Sequence, residues 1–109
     1  FYNIIIKFIF VMSVEQKNID ECCKHLINGG LVAFPTETVY GLGANALDEK
    51  AVEKIYEAKE RPKTDPIIIH ISDISQIYDL VDLSDQEITV VKKIASIFWP
   101  GPLTLILKA

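Results

Sequence analysis

Three cations occupy alternate positions in one short stretch, Lys59, Arg61 and Lys63, within Lys59-Glu60-Arg61-Pro62-Lys63-Thr64-Asp65-Pro66. Ammonium and guanidinium groups this close suit an anion with several oxygens, such as a triphosphate: Arg binds two oxygens at once and Lys acts as a point charge. The plainer reading is a solvated helix end whose cations answer the helix dipole. Pro62 and Pro66 favour binding, because a loop already restricted by proline has less entropy to lose when it closes on a ligand. A second stretch, Pro35-Thr36-Glu37-Thr38-Val39-Tyr40-Gly41-Leu42-Gly43, offers two hydroxyls, a phenol and glycines that let a ligand approach the backbone. The same residue types also build ordinary turns. His70 interrupts the apolar run Ile67-Ile68-Ile69-His70-Ile71, where a histidine is more often a hydrogen-bonded core residue than a ligand group. There is no P-loop, no GxGxxG and no HExxH pattern, nor a Ser/His/Asp or Cys/His arrangement for covalent catalysis.

The spacing of apolar residues supplies the elements that carry these groups. Ile19, Cys22, Cys23, Leu26 and Ile27 mark one face of a helix over residues 15–28, stopped by Asn28-Gly29-Gly30. Leu31-Val32-Ala33-Phe34 reads as a strand buried on both faces and ended by Pro35, so the Thr36–Gly43 stretch becomes a loop at a strand's C-terminal edge, where open α/β sheets place ligands. Asp48 caps a helix bearing Ala51, Val52, Ile55, Tyr56 and Ala58; Pro62 ends it near Lys59 or Glu60, which puts the cations at a helix exit. Ile67–Ile71 reads as a second buried strand, and Ser72-Asp73 starts a short helix with Ile74, Ile77 and Tyr78. Ser84 and Glu87 form a capping box for a helix whose face is Ile88, Val91, Ile94, Ala95 and Phe98. Trp99-Pro100-Gly101-Pro102 then turns the chain into a strand at Leu103–Leu107. Strands alternating with helices predict an α/β sandwich of sheet and covering helices.

Composition narrows the class. The chain has 109 residues, 50% of them hydrophobic and 24% charged, which suits one packed domain or part of one. A net charge of −4 argues against a nucleic-acid binder held by bulk charge, so any phosphate contact has to be local. Cys22 and Cys23 are adjacent, which disfavours a disulfide between them and leaves no Cys/His cluster for a metal. A reducing, cytoplasmic setting is expected. The opening FYNIIIKFIFV, 11 residues before the sole methionine at Met12, is too short to span a bilayer and is read as an extension upstream of the native start. LTLILKA ends within a strand, so residues 12–109 read as the N-terminal portion of a single domain.

GGLVAFPTETVYGLGANA, the KxRP core of AKERPKTDP, IIIHIS and FWPGPLTLIL, in that order and spacing, resemble the YrdC family of threonylcarbamoyl-AMP synthases. The resemblance runs from about Asn28 to Leu107. It implies an α/β (α+β) fold: a twisted mixed sheet with covering helices around a large concave cavity, here truncated. It implies an enzyme that joins L-threonine, bicarbonate and ATP, with Mg²⁺ on the nucleotide, into threonylcarbamoyl-adenylate and pyrophosphate. The product would feed the downstream tRNA threonylcarbamoyl transferase complex. By the same resemblance Thr36, Thr38 and Tyr40 match the threonine-binding turn, His70 the histidine near threonine, Lys59 and Arg61 the catalytic KxR pair facing the phosphates, and Asp65 a nucleotide contact. No dedicated protein metal site is implied.

Two departures stand out. Many members carry Gly where this chain has Glu60, and Asn where it has Asp65, which lacks the amide donors. The family's further nucleotide motifs lie beyond Ala109, so the piece alone is expected to be inactive. Two other functions remain open at this point: a nucleotide or double-stranded RNA binding module of the same fold, with weak RNA contact, and the carbamoyl-adenylate chemistry of hydrogenase maturation proteins. No membrane association is expected.

Overall fold

The computed structural model describes residues 3–8, 16–36 and 38–109. In chain order the elements are β1 (Asn3–Phe8), α1 (Gln16–Ile27), β2 (Val32–Phe34), β3 (Gly41–Gly43), α2 (Glu49–Lys59), β4 (Ile68–Ile71), a 3₁₀ helix (Ile74–Asp79), α3 (Asp85–Phe98) and β5 (Thr104–Lys108). They divide into two compact units, residues 1–11 with 66–109, and residues 12–65. Among the described residues no helix is long and apolar enough to cross a membrane.

The first unit is a mixed sheet in the order β4-β1-β5. β1 runs parallel to β4, with Ile5 opposite Ile68, and antiparallel to β5, with Ile5 opposite Ile106. The segment set apart in the sequence as an extension thus supplies the middle strand. β4 is not buried on both faces as its apolar run suggests: Ile69 and Ile71 turn inward while Ile68 and His70 turn outward, because successive strand residues point to opposite faces. β5 alternates in the same way, with Leu105 and Leu107 inward. Ile71, Ile77 and Val91 form the core on the inner side, and Trp99 packs against it. Trp99 Nε1 donates to the Leu103 carbonyl at 2.8 Å, closing the turn whose Trp99–Pro100 peptide is cis. At Gly101 a Cβ would lie 2.4 Å from the Phe98 carbonyl oxygen, so no larger residue fits that turn. Phe98, expected on the inner face of α3, is 56% exposed.

The predicted capping box at α3 is present. Ser84 N–H donates to Glu87 Oε2 at 2.7 Å and Glu87 N–H donates to Ser84 Oγ at 3.3 Å. Hydrogen bonds from the Ser84 main-chain N–H, then from its hydroxyl, hold the Glu87 carboxyl below its ordinary value of 4.5. A carboxylate whose folded pKa is depressed contributes stability above its unfolded pKa and loses it as pH falls through the folded one. As pH falls below the ordinary carboxylate value of 4.5, the thermal midpoint is therefore expected to drop more steeply than in Glu87→Gln, which keeps an acceptor oxygen but has no proton to gain. Parallel slopes in calorimetric melts would show that the cap does not titrate.

In the second unit, Ile19, Cys22 and Leu26 of α1 are half-buried, whereas Cys23 and Ile27, expected on the same face, are exposed. Both cysteines are free thiols. α1 ends in a Schellman motif: Gly30 N–H donates to the His25 carbonyl at 2.9 Å and Gly29 N–H to the Leu26 carbonyl at 3.1 Å, with Gly29 left-handed at φ 82°. β2 is three residues long, with Ala33 exposed and Val32 and Phe34 half-buried, so the expected burial on both faces does not hold. Its partner is an element the sequence reading leaves as loop: β3 pairs antiparallel with it, Phe34 opposite Gly41 and Val32 opposite Gly43. The Phe34 ring lies across both glycines, where a Cβ would meet it at 2.8 Å and 3.0 Å. α2 begins at Asp48, whose Oδ1 accepts from Ala51 N–H at 3.2 Å, and buries Ala51 and Ile55. Lys54 Nζ donates to the Gly29 carbonyl at 2.7 Å, tying the α1 turn to α2.

Candidate functional site

Thr36, Thr38 and Tyr40 lie on the connection between β2 and β3. The Thr36 hydroxyl donates to the Val39 carbonyl and accepts from Thr38 N–H at 3.3 Å, so this side chain folds the loop. Thr38 and Tyr40 are exposed, the latter by 75%, and leave a hydroxyl and a phenol at the surface.

α2 also closes in a Schellman motif, and that motif places the cations. Arg61 N–H donates to the Tyr56 carbonyl at 2.9 Å and Glu60 N–H to the Glu57 carbonyl at 3.2 Å. Glu60 takes the left-handed position that Gly29 occupies after α1, with φ 51° and ψ 36°. Lys59 is thus the last helical residue and Arg61 the first beyond the reversal. The loop that follows is braced at its far end. Asp65 N–H donates to the Pro62 carbonyl at 3.0 Å, and Tyr56 Oη donates to the Asp65 carbonyl at 2.7 Å. Asp65 Oδ2 lies 3.4 Å from Arg61 Nε, and Lys63 Nζ lies 3.3 Å from Glu53 Oε1. The stretch is therefore less cationic than Lys59, Arg61 and Lys63 set against Glu60 alone suggest, because Asp65 and Glu53 answer two of the three charges. The Arg61 pair is formed through Nε, and the Arg61 and Asp65 side chains are both about half-exposed.

A left-handed glutamate is strained by about 1–2 kcal/mol relative to glycine, partly offset by the greater entropy glycine has in the unfolded chain. Glu60→Gly is accordingly expected to raise stability by up to about 1 kcal/mol in denaturant titration. A loss of stability would show that Glu60 makes a compensating contact.

Lys59, Arg61, Asp65, Thr36, Thr38 and Tyr40 all belong to the 12–65 unit, and His70 to the other. The core reading of His70 is corrected: it stands on the outward side of β4, between the inward Ile69 and Ile71.

The Sua5/YciO/YrdC profile, described as telomere recombination, matches residues 24–109. The chain belongs to the Sua5/YciO/YrdC family. Similar proteins include the threonylcarbamoyl-AMP synthase of Pyrococcus abyssi, 51% identical over 94 residues, and that of Bacillus subtilis, 50% identical over 96. The alignments cover 86% and 88% of this chain but 27% of each relative, so the chain spans about a quarter of their length. The crystal structure of P. abyssi Sua5 complexed with L-threonine matches 89% of this chain and 27% of its own, at TM-score 0.71 and 46% identity. The α/β reading and the YrdC-like resemblance both hold.

Two residues that shape the site in this Sua5/YciO/YrdC chain escape a reading by residue type. Tyr56 looks like one more apolar position of α2, yet its phenol and its carbonyl hold both ends of the cationic loop. Glu53 looks like surface charge, and it restrains Lys63 across 10 residues of sequence.

Proposed function

We propose that the full-length protein is an L-threonylcarbamoyladenylate synthase, a nucleotidyltransferase that forms threonylcarbamoyl-AMP from L-threonine, bicarbonate and ATP for modification of tRNA. The observation that carries this reading is the braced loop from Lys59 to Asp65, which sets an ammonium and a guanidinium on either side of a helix end. Support comes from the relatives named threonylcarbamoyl-AMP synthase and from the L-threonine complex of P. abyssi Sua5.

The chemistry asks for charge stabilisation and alignment. The carboxylate of N-carboxy-threonine must reach the α-phosphorus in line while pyrophosphate leaves, and negative charge gathers on the phosphoryl oxygens. Lys59 and Arg61 stabilise that charge, with Asp65 acting on the nucleotide side through Arg61. Thr38 and Tyr40 contact L-threonine, and Thr36 shapes the turn that carries them. Mg²⁺ would arrive with ATP as part of the substrate and would supply counter-charge to its phosphates, with no metal ligand required of this chain. The product passes to the tRNA threonylcarbamoyl transferase complex in the cytoplasm.

The test is pyrophosphate release by the full-length protein. Release that requires ATP, L-threonine and bicarbonate together is expected. ATP binding with no release under any combination would support a binding module instead.

A further inference from the structure

We infer that Tyr56 is the positioning residue of the cationic loop, and that its phenol sets how well the site holds the triphosphate. This rests on the reading of Lys59 and Arg61 as phosphate ligands.

Tyr56 holds the loop twice. Its carbonyl accepts the N–H groups of Glu60 and Arg61, fixing the reversal out of α2. Its hydroxyl, carried up the helix side by the ring, donates to the Asp65 carbonyl at 2.7 Å, nine residues on. Between these anchors lie the cation Arg61 and, at the far one, its carboxylate partner Asp65. The main-chain anchor is generic to a Schellman ending and survives any side chain. The phenolic anchor belongs to tyrosine, since phenylalanine fills the same space with no donor.

Besides the two prolines and the Asp65 N–H bond to the Pro62 carbonyl, which shape the loop from within, its ties to α2 beyond the main-chain closure are few. Most of its residues are exposed, and its two ion pairs are exposed or half-exposed, a kind that contributes little to rigidity in water. A part-buried hydrogen bond to a backbone carbonyl is the better fixed contact. Without it, residues 61–65 sample more conformations, and a phosphate that binds must first order them. That cost falls on nucleotide binding and leaves the L-threonine turn, on another connection, untouched.

The experiment compares wild type and Tyr56→Phe in the full-length protein, by steady-state kinetics and by limited trypsin cleavage at Lys63–Thr64. Trypsin is a direct probe of the loop because that bond lies inside it. The expected result is a KM for ATP raised about three- to tenfold, with kcat and the KM for L-threonine within about twofold, matching the loss of one net hydrogen bond. Cleavage after Lys63 should be faster in the variant, and 1 mM ATP should slow it in both proteins. A residue that served only stability would lower the active fraction, and so kcat, with both KM values unchanged; that result overturns the inference. Equal cleavage rates overturn it as well, whatever the kinetics show. If wild type releases no pyrophosphate, the proposed function fails, and the cleavage comparison still decides whether the phenol holds the loop.

Discussion

Lys59→Ala and Arg61→Ala in the full-length protein should each slow threonine- and bicarbonate-dependent pyrophosphate release by about ten- to a hundredfold. The size follows from the interaction removed: a charge-assisted hydrogen bond to phosphate contributes about 1.5–3 kcal/mol, and each 1.4 kcal/mol in a barrier is about tenfold in rate. The fold should survive both changes, since Lys59 and Arg61 are exposed and the helix end is closed by main-chain groups. Arg61→Ala carries a second consequence. It leaves the Asp65 carboxylate without its cation, and if phosphate binds at Arg61 as proposed, the rise in KM for ATP should exceed that of Lys59→Ala. Arg61→Ala with Asp65→Ala should recover part of that difference, because the repelling charge goes with its partner. Lys59→Arg should also be damaging, as a planar fork does not replace a compact ammonium at the end of a helix. Wild-type rates in folded Lys59→Ala and Arg61→Ala would return the loop to the status of a solvated helix end.

What could be seen in the sequence depended on how local the physics was. Asp48 and the Ser84/Glu87 pair were legible because a cap is a hydrogen bond across three residues, and both stand where the pattern places them. The exit of α2 was legible from Pro62 for the same reason. β3 was hidden, because Gly-Leu-Gly has weak strand propensity and forms a strand only with the Phe34 ring laid over it. β1 was hidden by distance: its partners begin at Ile68 and Thr104, and no local signal reports such pairings.

The site residues follow the same division. The family motif singled out Lys59, Arg61, Thr36, Thr38 and Tyr40 by type, but what each side chain touches follows only from the fold. Thr36 turned out to bond its own loop, and Asp65 to face Arg61. Glu60 is instructive in the other direction. The family resemblance leads one to expect glycine there, and the φ of 51° supplies a reason, since left-handed backbone is what glycine tolerates best.

Ile77→Ala should be the most damaging single substitution to stability in the unit of residues 1–11 and 66–109. Ile77 has no solvent exposure and is the largest fully buried side chain among the described residues. It sits on a 3₁₀ helix of six residues, too short to be stable by its own hydrogen bonds, so this side chain is what fastens the segment to Ile71 and Val91. Removing three carbons costs the lost transfer free energy and a cavity term, together about 2–5 kcal/mol, whereas Ile77→Val removes one carbon for about 0.5–1.5 kcal/mol. The ratio carries the argument. If the segment relaxed inward to fill the space, Ala would cost little more than Val and the core would be shown to be plastic. A steep rise from Val to Ala in urea titration, with the capping box at Asp73 and Gln76 intact by amide exchange, would show that packing, and not the local hydrogen bonds, holds this segment over the inner face of β4.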